Sequence, residues 1–382
     1  MEPAAFGAKC ASAGGIIRRP VFPDSAGGTG SDFLDPINFV KLSGSGNDFI
    51  CIDNRDGRFS EAIASGQAAE LARRLCPRGV SVGADGVIFA EDPDWVPQAD
   101  VLATFFEPDG SQASLCGNGA ACMVYWALMR KWTQNDEVRL GTPAGLVRGR
   151  RVDGGLGSPN ATGRAWGSLP GQYIRVCIPL PEGMQRDIQL DLDGKTWTVD
   201  FLVAGVAHAV TYVDDIEAAN VGYVGPMIRR HQRFAPGGAN ANFVQVIREG
   251  EIAVRTFEFG VENETLACGT GSTAAAILAA IRFGWAKKYL DGDEPVRVRA
   301  RSGDVLRIHF VLKPDGSFDN VCLDTIVRCN FLGTICPELA AEVLGVGVPK
   351  GAPKPDVPGL GTPRDTTRLG SPGPDAAAKR SG

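Results

Sequence analysis

Two cysteines stand in the same local pattern at two places. SLCGNGAAC (114–122) and LACGTGSTA (266–274) each set a cysteine, a glycine, a small polar residue and a second glycine ahead of an apolar segment. If that segment is a helix, its first turn carries unpaired N–H groups and the positive end of the helix dipole. Glycine lets the backbone come close to a ligand there, and such a mouth accepts a carboxylate or phosphate. The same field favours the thiolate of a neighbouring cysteine. One such motif is more often a plain turn. Two matched copies, Cys116 and Cys268, about a domain length apart, are harder to assign to chance. Facing one another, they would place two thiols on opposite sides of one small anionic ligand. A base on one face of Cα and an acid on the other invert a stereocentre. The mouths would hold the α-carboxylate as charge builds up on it, in a site closed to water.

The elements that must position them repeat as well. Strand, Gly turn and strand fit 37–54, and a helix fits about 60–75 before Pro77. Strands fit 83–91 and 99–112, the second turned by Pro-Asp-Gly. A Gly loop opens a helix within 114–132, and 137–152 reads as a hairpin. After a loose Gly/Ser/Asn stretch the rhythm resumes: strands at 173–178, 187–192, 195–204 and 208–213, a helix at about 215–230, and two strands within 243–260. The second Gly loop and helix occupy 266–286, with β structure again over 296–312 and 319–333. Both Gly-loop helices are apolar nearly all round, which suits the centre of a domain. The expectation is an α+β fold of two pseudo-symmetric domains, 37–172 and 173–326. Each is a curved, mostly antiparallel sheet around a central hydrophobic helix, with the active site in the cleft between them.

Composition narrows the function. The 382-residue chain has a net charge of −5, which disfavours a dedicated nucleic-acid binder. No apolar run approaches the length of a membrane helix. Residues 1–36 lack the apolar core of a secretory signal and read as a disordered leader; the Pro/Gly-rich 349–382 reads as a disordered tail. The ten cysteines form no CxxC and sit near no histidine, so no metal is expected. Reduced thiols in the cytoplasm are the expected state. GSGNDF (44–49) lacks the third glycine and trailing helix of a phosphate loop, and no cofactor is implied.

KLSGSGNDF, SVGADGVIF, PDGSQASLCGNGAAC, GVAHAV, GGANANFVQV and RTFEFGVENETLACGTGSTAAA occur in an order that resembles diaminopimelate epimerase, over roughly 38–335. The doubled CGxG is highly specific to that PLP-independent epimerase and amino-acid racemase group. The resemblance implies that the last strand, at about 327–345, returns to the first domain. It implies Cys116 and Cys268 as the acid/base pair, with His208 and Glu258 assisting. It implies Asn47, Gly117, Asn118, Asn240, Gly269 and Thr270 as substrate-binding residues, Asn240 toward the distal end. The activity implied interconverts LL- and meso-2,6-diaminopimelate without a cofactor, in lysine and peptidoglycan precursor biosynthesis. The partner implied is a small amino acid, with neither nucleic acid nor membrane, and with room for a homodimer.

The departures, apart from that at Ala121, concern the distal half of the substrate. Glu107 stands where the family usually has Asn, Phe259 where it has Arg, and Val206 where it often has Asn; the CGNGxRC arginine is Ala121. Phe cannot replace an Arg fork on a carboxylate. A second reading is therefore a racemase of a basic amino acid such as lysine, ornithine or histidine. In the first, other groups hold the distal carboxylate, with Arg255 and Arg282 the candidates nearby in sequence. A third reading, a catalytically silent scaffold, has the intact cysteines, His208 and Glu258 against it.

Overall fold

The computed structural model describes residues 37–93, 96–153 and 171–344; the leader, the tail and nearly all of the loose stretch after 153 lie outside them. The first half runs β1 (Ile37–Gly44), β2 (Asn47–Asn54), α1 (Ser60–Ala64), α2 (Gln67–Leu75), β3 (Gly86–Glu91), β4 (Val101–Phe106), β5 (Gln112–Ala113), α3 (Gly117–Arg130), β6 (Glu137–Thr142), β7 (Gly145–Arg151) and β8 (Gln172–Cys177). The second runs β9 (Glu182–Leu192), β10 (Lys195–Ala204), β11 (Val206–Tyr212), α4 (Val221–Arg229), β12 (Asn240–Arg248), β13 (Glu251–Glu258), β14 (Asn263–Thr265), α5 (Gly269–Arg282), α6 (Lys287–Leu290), β15 (Val296–Arg299), β16 (Val305–Leu312), β17 (Phe318–Ile335) and α7 (Pro337–Leu344).

The internal repeat lies in the strand pairing. From β1 the pairs are β1–β2 antiparallel, β2–β3 parallel, β3–β4 antiparallel, β4–β6 parallel, then β6–β7 and β7–β8 antiparallel. From β10 the same series returns: β10–β11 antiparallel, β11–β12 parallel, β12–β13 antiparallel, β13–β15 parallel, then β15–β16 and β16–β17 antiparallel. The helices α3 and α5 occupy equivalent places. Strand β17 serves both halves. Its start pairs with β16, Cys322–Val327 pairs with β8, and Val327–Ile335 pairs with β1, which closes a ring of strands in the first half.

Each sheet wraps its own helix. All of Gly117–Val124 in α3 and Gly269–Ala280 in α5 is buried. Neither segment has a polar face to offer water, so burial on every side is the stable arrangement. Smaller cores lie on the outer faces, where Leu71 and Leu75 of α2 meet Phe89 and Phe106, and Val224 and Ile228 of α4 meet Phe243 and Phe257.

Several details differ from expectation. The helix expected over 60–75 breaks at Gly66, which adopts φ +83°. The helix expected from about 215 starts at Val221, because Gln245 Oε1 accepts from Ile216 N at 3.2 Å and holds the preceding segment as a turn. Helix α7 was not foreseen; its Pro337 occupies the first position, which tolerates proline. Not every thiol is reduced: Cys177 and Cys322 stand directly opposite one another on β8 and β17 and are joined as a disulfide.

Candidate active site

Cys116 and Cys268 are the N-caps of α3 and α5. Their backbones are nearly identical, at φ −121° and −119°. Each sulfur accepts a hydrogen bond from the glycine three residues on, Gly119 N at 3.4 Å and Gly271 N at 3.3 Å. The first intrahelical bonds begin later, at Ala120 N and Ser272 N. The N–H groups of Gly117, Asn118, Gly269 and Thr270 therefore lie in the open first turns.

The two helix mouths abut. A Cβ added to Gly117 would lie 3.5 Å from Thr270 N, and one added to Gly269 would lie 3.3 Å from Asn118 N. Leu323 of β17 packs 3.3 Å from both positions, so the shared strand fills the seam between the mouths. Glycine is required at 271 for a separate reason: a Cβ there would be 2.4 Å from Asn242 Oδ1.

Asn118 fastens this junction. It is 0% exposed. Its Nδ2 donates to Asn47 Oδ1 at 2.7 Å and to the carbonyl of Ala267 at 3.4 Å, the residue before Cys268. Its Oδ1 accepts from Thr325 Oγ1 at 3.1 Å, and Thr325 in turn meets Ser45 Oγ at 2.6 Å. Asn47 Nδ2 donates to Asp85 Oδ2 at 3.3 Å. Two of the three asparagines expected to bind substrate thus use their side chains to hold the protein together. Asp85, Thr325 and Ser45 were not singled out from sequence, and the only signal for Asp85 was its place in SVGADG.

Two carboxyl groups influence the cysteines: Glu258 acts on both of them, and Glu107 on Cys116. Glu258 accepts from Thr265 Oγ1; burial raises its pKa to about 7 against the lowering influence of Thr265 and Cys268. Glu107 is pushed further, to about 8, by burial and then by the charges of Glu258, Asp109 and Asp85. Asp85 pairs with Arg78, 2.8 Å away, yet burial and then the charge of Asp48 still raise its pKa. The expectation that the helix mouths favour thiolate is not met in this state. Burial, followed by the charge of Glu258, raises both Cys116 and Cys268, and outweighs the glycine N–H donors that act the other way.

His208 is fully buried, and burial alone lowers it to about 3, so it is neutral. Asn242 Oδ1 accepts from Thr256 Oγ1 at 2.9 Å, which turns Asn242 Nδ2 toward His208 Nδ1 at 3.3 Å. Nδ1 is then the acceptor and Nε2 carries the proton. That Nε2 has no hydrogen-bond partner among the described residues. Asn240 pairs with His208 across β11 and β12, and its Oδ1 accepts from Phe259 N at 2.7 Å, which holds the turn after Glu258. Thr270 Oγ1 lies 3.6 Å from Cys268 Sγ.

The arginines considered for the distal carboxylate are engaged elsewhere. Arg255 forks onto Glu264 and the carbonyls of Ile216 and Ala219, on the face of β13 opposite Glu258. Arg282 ends α5, about 20 Å from its mouth by helix rise, and binds Asp187 and Asp200. Phe259 is 53% exposed, with the Arg229 guanidinium stacked 4.1 Å from its ring.

The raised carboxyls give a stability prediction. A carboxyl whose folded pKa exceeds its unfolded value keeps its proton longer in the folded state. Its contribution to stability falls as pH rises through that interval and is fully lost above the folded value. For Glu107 the window runs from 4.5 to about 8. Glu107→Gln removes the penalty, so its Tm advantage over the parent is expected to be larger at about pH 8.5 than at about pH 5. Equal advantages at both would contradict a buried, uncompensated carboxyl.

The family model described as Diaminopimelate epimerase matches residues 39–155 and 201–310. The chain belongs to the diaminopimelate epimerase family. It is 39% identical over 276 residues to the diaminopimelate epimerase of Aquifex aeolicus, covering 72% of this chain and 90% of that one. To the Chlorobaculum tepidum diaminopimelate epimerase it is 33% identical, over 77% of this chain and 99% of that one. Among solved structures it shares its fold with a probable proline racemase from Agrobacterium radiobacter, at TM-score 0.59 and 16% identity over 78% of this chain and 93% of that one. A hydroxyproline epimerase from Agrobacterium vitis gives TM-score 0.59 and 14% identity, over 80% and 94%. As a member of the diaminopimelate epimerase family the chain is an isomerase of the epimerase and racemase kind.

Proposed function

We propose that the chain interconverts LL- and meso-2,6-diaminopimelate by cofactor-independent proton transfer at Cα between Cys116 and Cys268, in lysine and peptidoglycan precursor biosynthesis. The observation that carries this reading is the apposition of two cysteine-capped helix mouths, glycine against backbone. The α-carboxylate lies on the open N–H groups of Gly117, Asn118, Gly269 and Thr270. One sulfur, as thiolate, takes the Cα proton, and the electron pair moves into the carboxylate. The other, as thiol, donates a proton to the opposite face. One proton leaves and one arrives, and the reverse reaction exchanges the roles. Glu258 helps form the thiolate through its contact with Cys268. His208 offers Nε2–H to the closed site, and Asn240 holds the turn that presents Glu258.

Because Glu258 titrates at about 7 in the free site, kcat/KM is expected to rise with pH through that value. Glu258→Gln should remove this limb and cost about 10²-fold. A pH profile unchanged in the Gln variant would take Glu258 out of the proton path.

Glu107 and Phe259 favour a second reading, racemisation of a basic amino acid. Incubation in deuterated water separates the readings. Label at Cα of diaminopimelate supports the first. Label only in lysine, ornithine or histidine replaces it with the second. Label in none of them retires both and leaves the scaffold.

A further inference from the structure

We propose that Asn242 is a positioning residue of this site: it fixes the tautomer of His208, so that the ring presents Nε2–H to the reacting groups. The task of that N–H rests on the two-thiol reading above; the tautomer itself does not.

The strands place the pair. Ala207 and Ala209 of β11 pack with α4 in the outer core, and so do Ala241 and Phe243 of β12. Side chains alternate along a strand, so His208 and Asn242 point to the opposite face. On that face Asn242 Oδ1 would lie 2.4 Å from a Cβ on Gly271, whose N–H donates to Cys268 Sγ. Asn242 is wholly buried and touches both the His208 ring and the mouth of α5. GGANANF carries two asparagines, and the fold gives them different partners: Asn240 holds Phe259 N, and Asn242 meets the ring.

The Asn242 amide is locked from three sides. Its Nδ2 donates to the carbonyls of Ala209 at 3.1 Å and Asn240 at 3.2 Å, and its Oδ1 accepts from Thr256 Oγ1 at 2.9 Å. Carbonyl oxygens only accept. A flipped amide would bring its oxygen against both of them, which is costly in a buried place. The orientation is thus set without reference to the histidine. It leaves a donor group 3.3 Å from His208 Nδ1. A proton on Nδ1 would oppose N–H to N–H, so Nδ1 keeps its lone pair. Burial keeps the ring neutral, and its single proton sits on Nε2. That nitrogen meets no hydrogen-bond partner among the described residues, as befits a donor kept for a ligand. Freed from Asn242, the ring could offer the site either a donor or an acceptor.

Labelling the histidines of the full chain with ¹⁵N reads the tautomer directly, since protonated and bare ring nitrogens resonate far apart. The chain has three histidines, and His208→Gln identifies the signals of this one. The parent is expected to show a bare Nδ1 and a protonated Nε2. Asn242→Asp has nearly the same shape but replaces the donor by an acceptor. Its Nδ1 should carry a proton, and kcat should fall about 10²-fold with KM changed less than about threefold. Asn242→Ala serves if the Asp variant does not fold; with neither donor nor acceptor beside Nδ1, it should show both tautomers. A proton on Nδ1 in the parent, or a parent-like ring spectrum in these variants, would overturn the assignment. A changed tautomer with parent-like kcat would remove the positioning role. A parent that exchanges no Cα proton is a failure of the epimerase reading, and the ring signals still decide the tautomer.

Discussion

Replacing either Cys116 or Cys268 by alanine is expected to lower stereoinversion by about 10³-fold or more, near the upper range for one positioned acid or base. The loss should be of a particular kind. Inversion needs a proton removed from one face of Cα and delivered to the other, so a single remaining thiol cannot complete it. That thiol can still remove and return a proton on its own face. Each variant should therefore exchange the Cα proton of one stereoisomer with deuterated water, without inverting it, and the two variants should favour opposite stereoisomers. Chiral analysis beside mass-spectrometric deuterium counting reads both quantities. Inversion retained in either variant would remove the two-thiol mechanism, whatever the arrangement of the helix mouths.

Asn118→Ala is expected to be the most damaging substitution that leaves both sulfurs in place. The side chain is wholly buried and joins Asn47, Ala267 and Thr325. Truncation leaves the oxygens of Asn47 and Ala267 without this donor, at about 1–3 kcal/mol for each buried polar group. The expected loss is about 3 kcal/mol, or a fall in Tm of about 4–6 °C. Activity should fall about 10²-fold, because the Ala267 contact reaches the residue before Cys268 and misplaced catalytic groups lose rate steeply. Asn118→Asp keeps the shape but loses the donors and puts a negative charge where the carboxylate should bind. It should impair turnover at least as severely while preserving more of the packing. Parent-like Tm and kcat/KM in Asn118→Ala would show that the junction does not depend on this clasp.

The elements that carried the argument from sequence are those with local causes. A cysteine followed by glycine, a small residue and glycine, then an unbroken apolar run, can be read as a helix mouth leading into a buried helix. Both copies took that form, down to the same cap geometry. The alternation of strands and turns similarly disclosed the α+β class and the repeated unit. Boundaries were less legible where a distant contact decides them. Gln245, 29 residues along the chain, stops α4 from starting at Ile216.

Sequence alone therefore determined the chemistry on offer: two cysteines at two helix starts, a histidine, a glutamate, and the departures from the family at Glu107 and Phe259. Only the tertiary structure decided how those groups are tuned and joined. Thr325 meets Asn118 across 207 residues, Leu323 fills the seam between the mouths, and Cys177 finds Cys322 across 145. It also reversed the expected ionisation of the thiols and sent Arg255 and Arg282 to other partners. The physical reason is range. Helix mouths and apolar faces follow from residues within a turn or two of each other, whereas burial, charge compensation and hydrogen-bond partners depend on which distant strands the fold brings alongside.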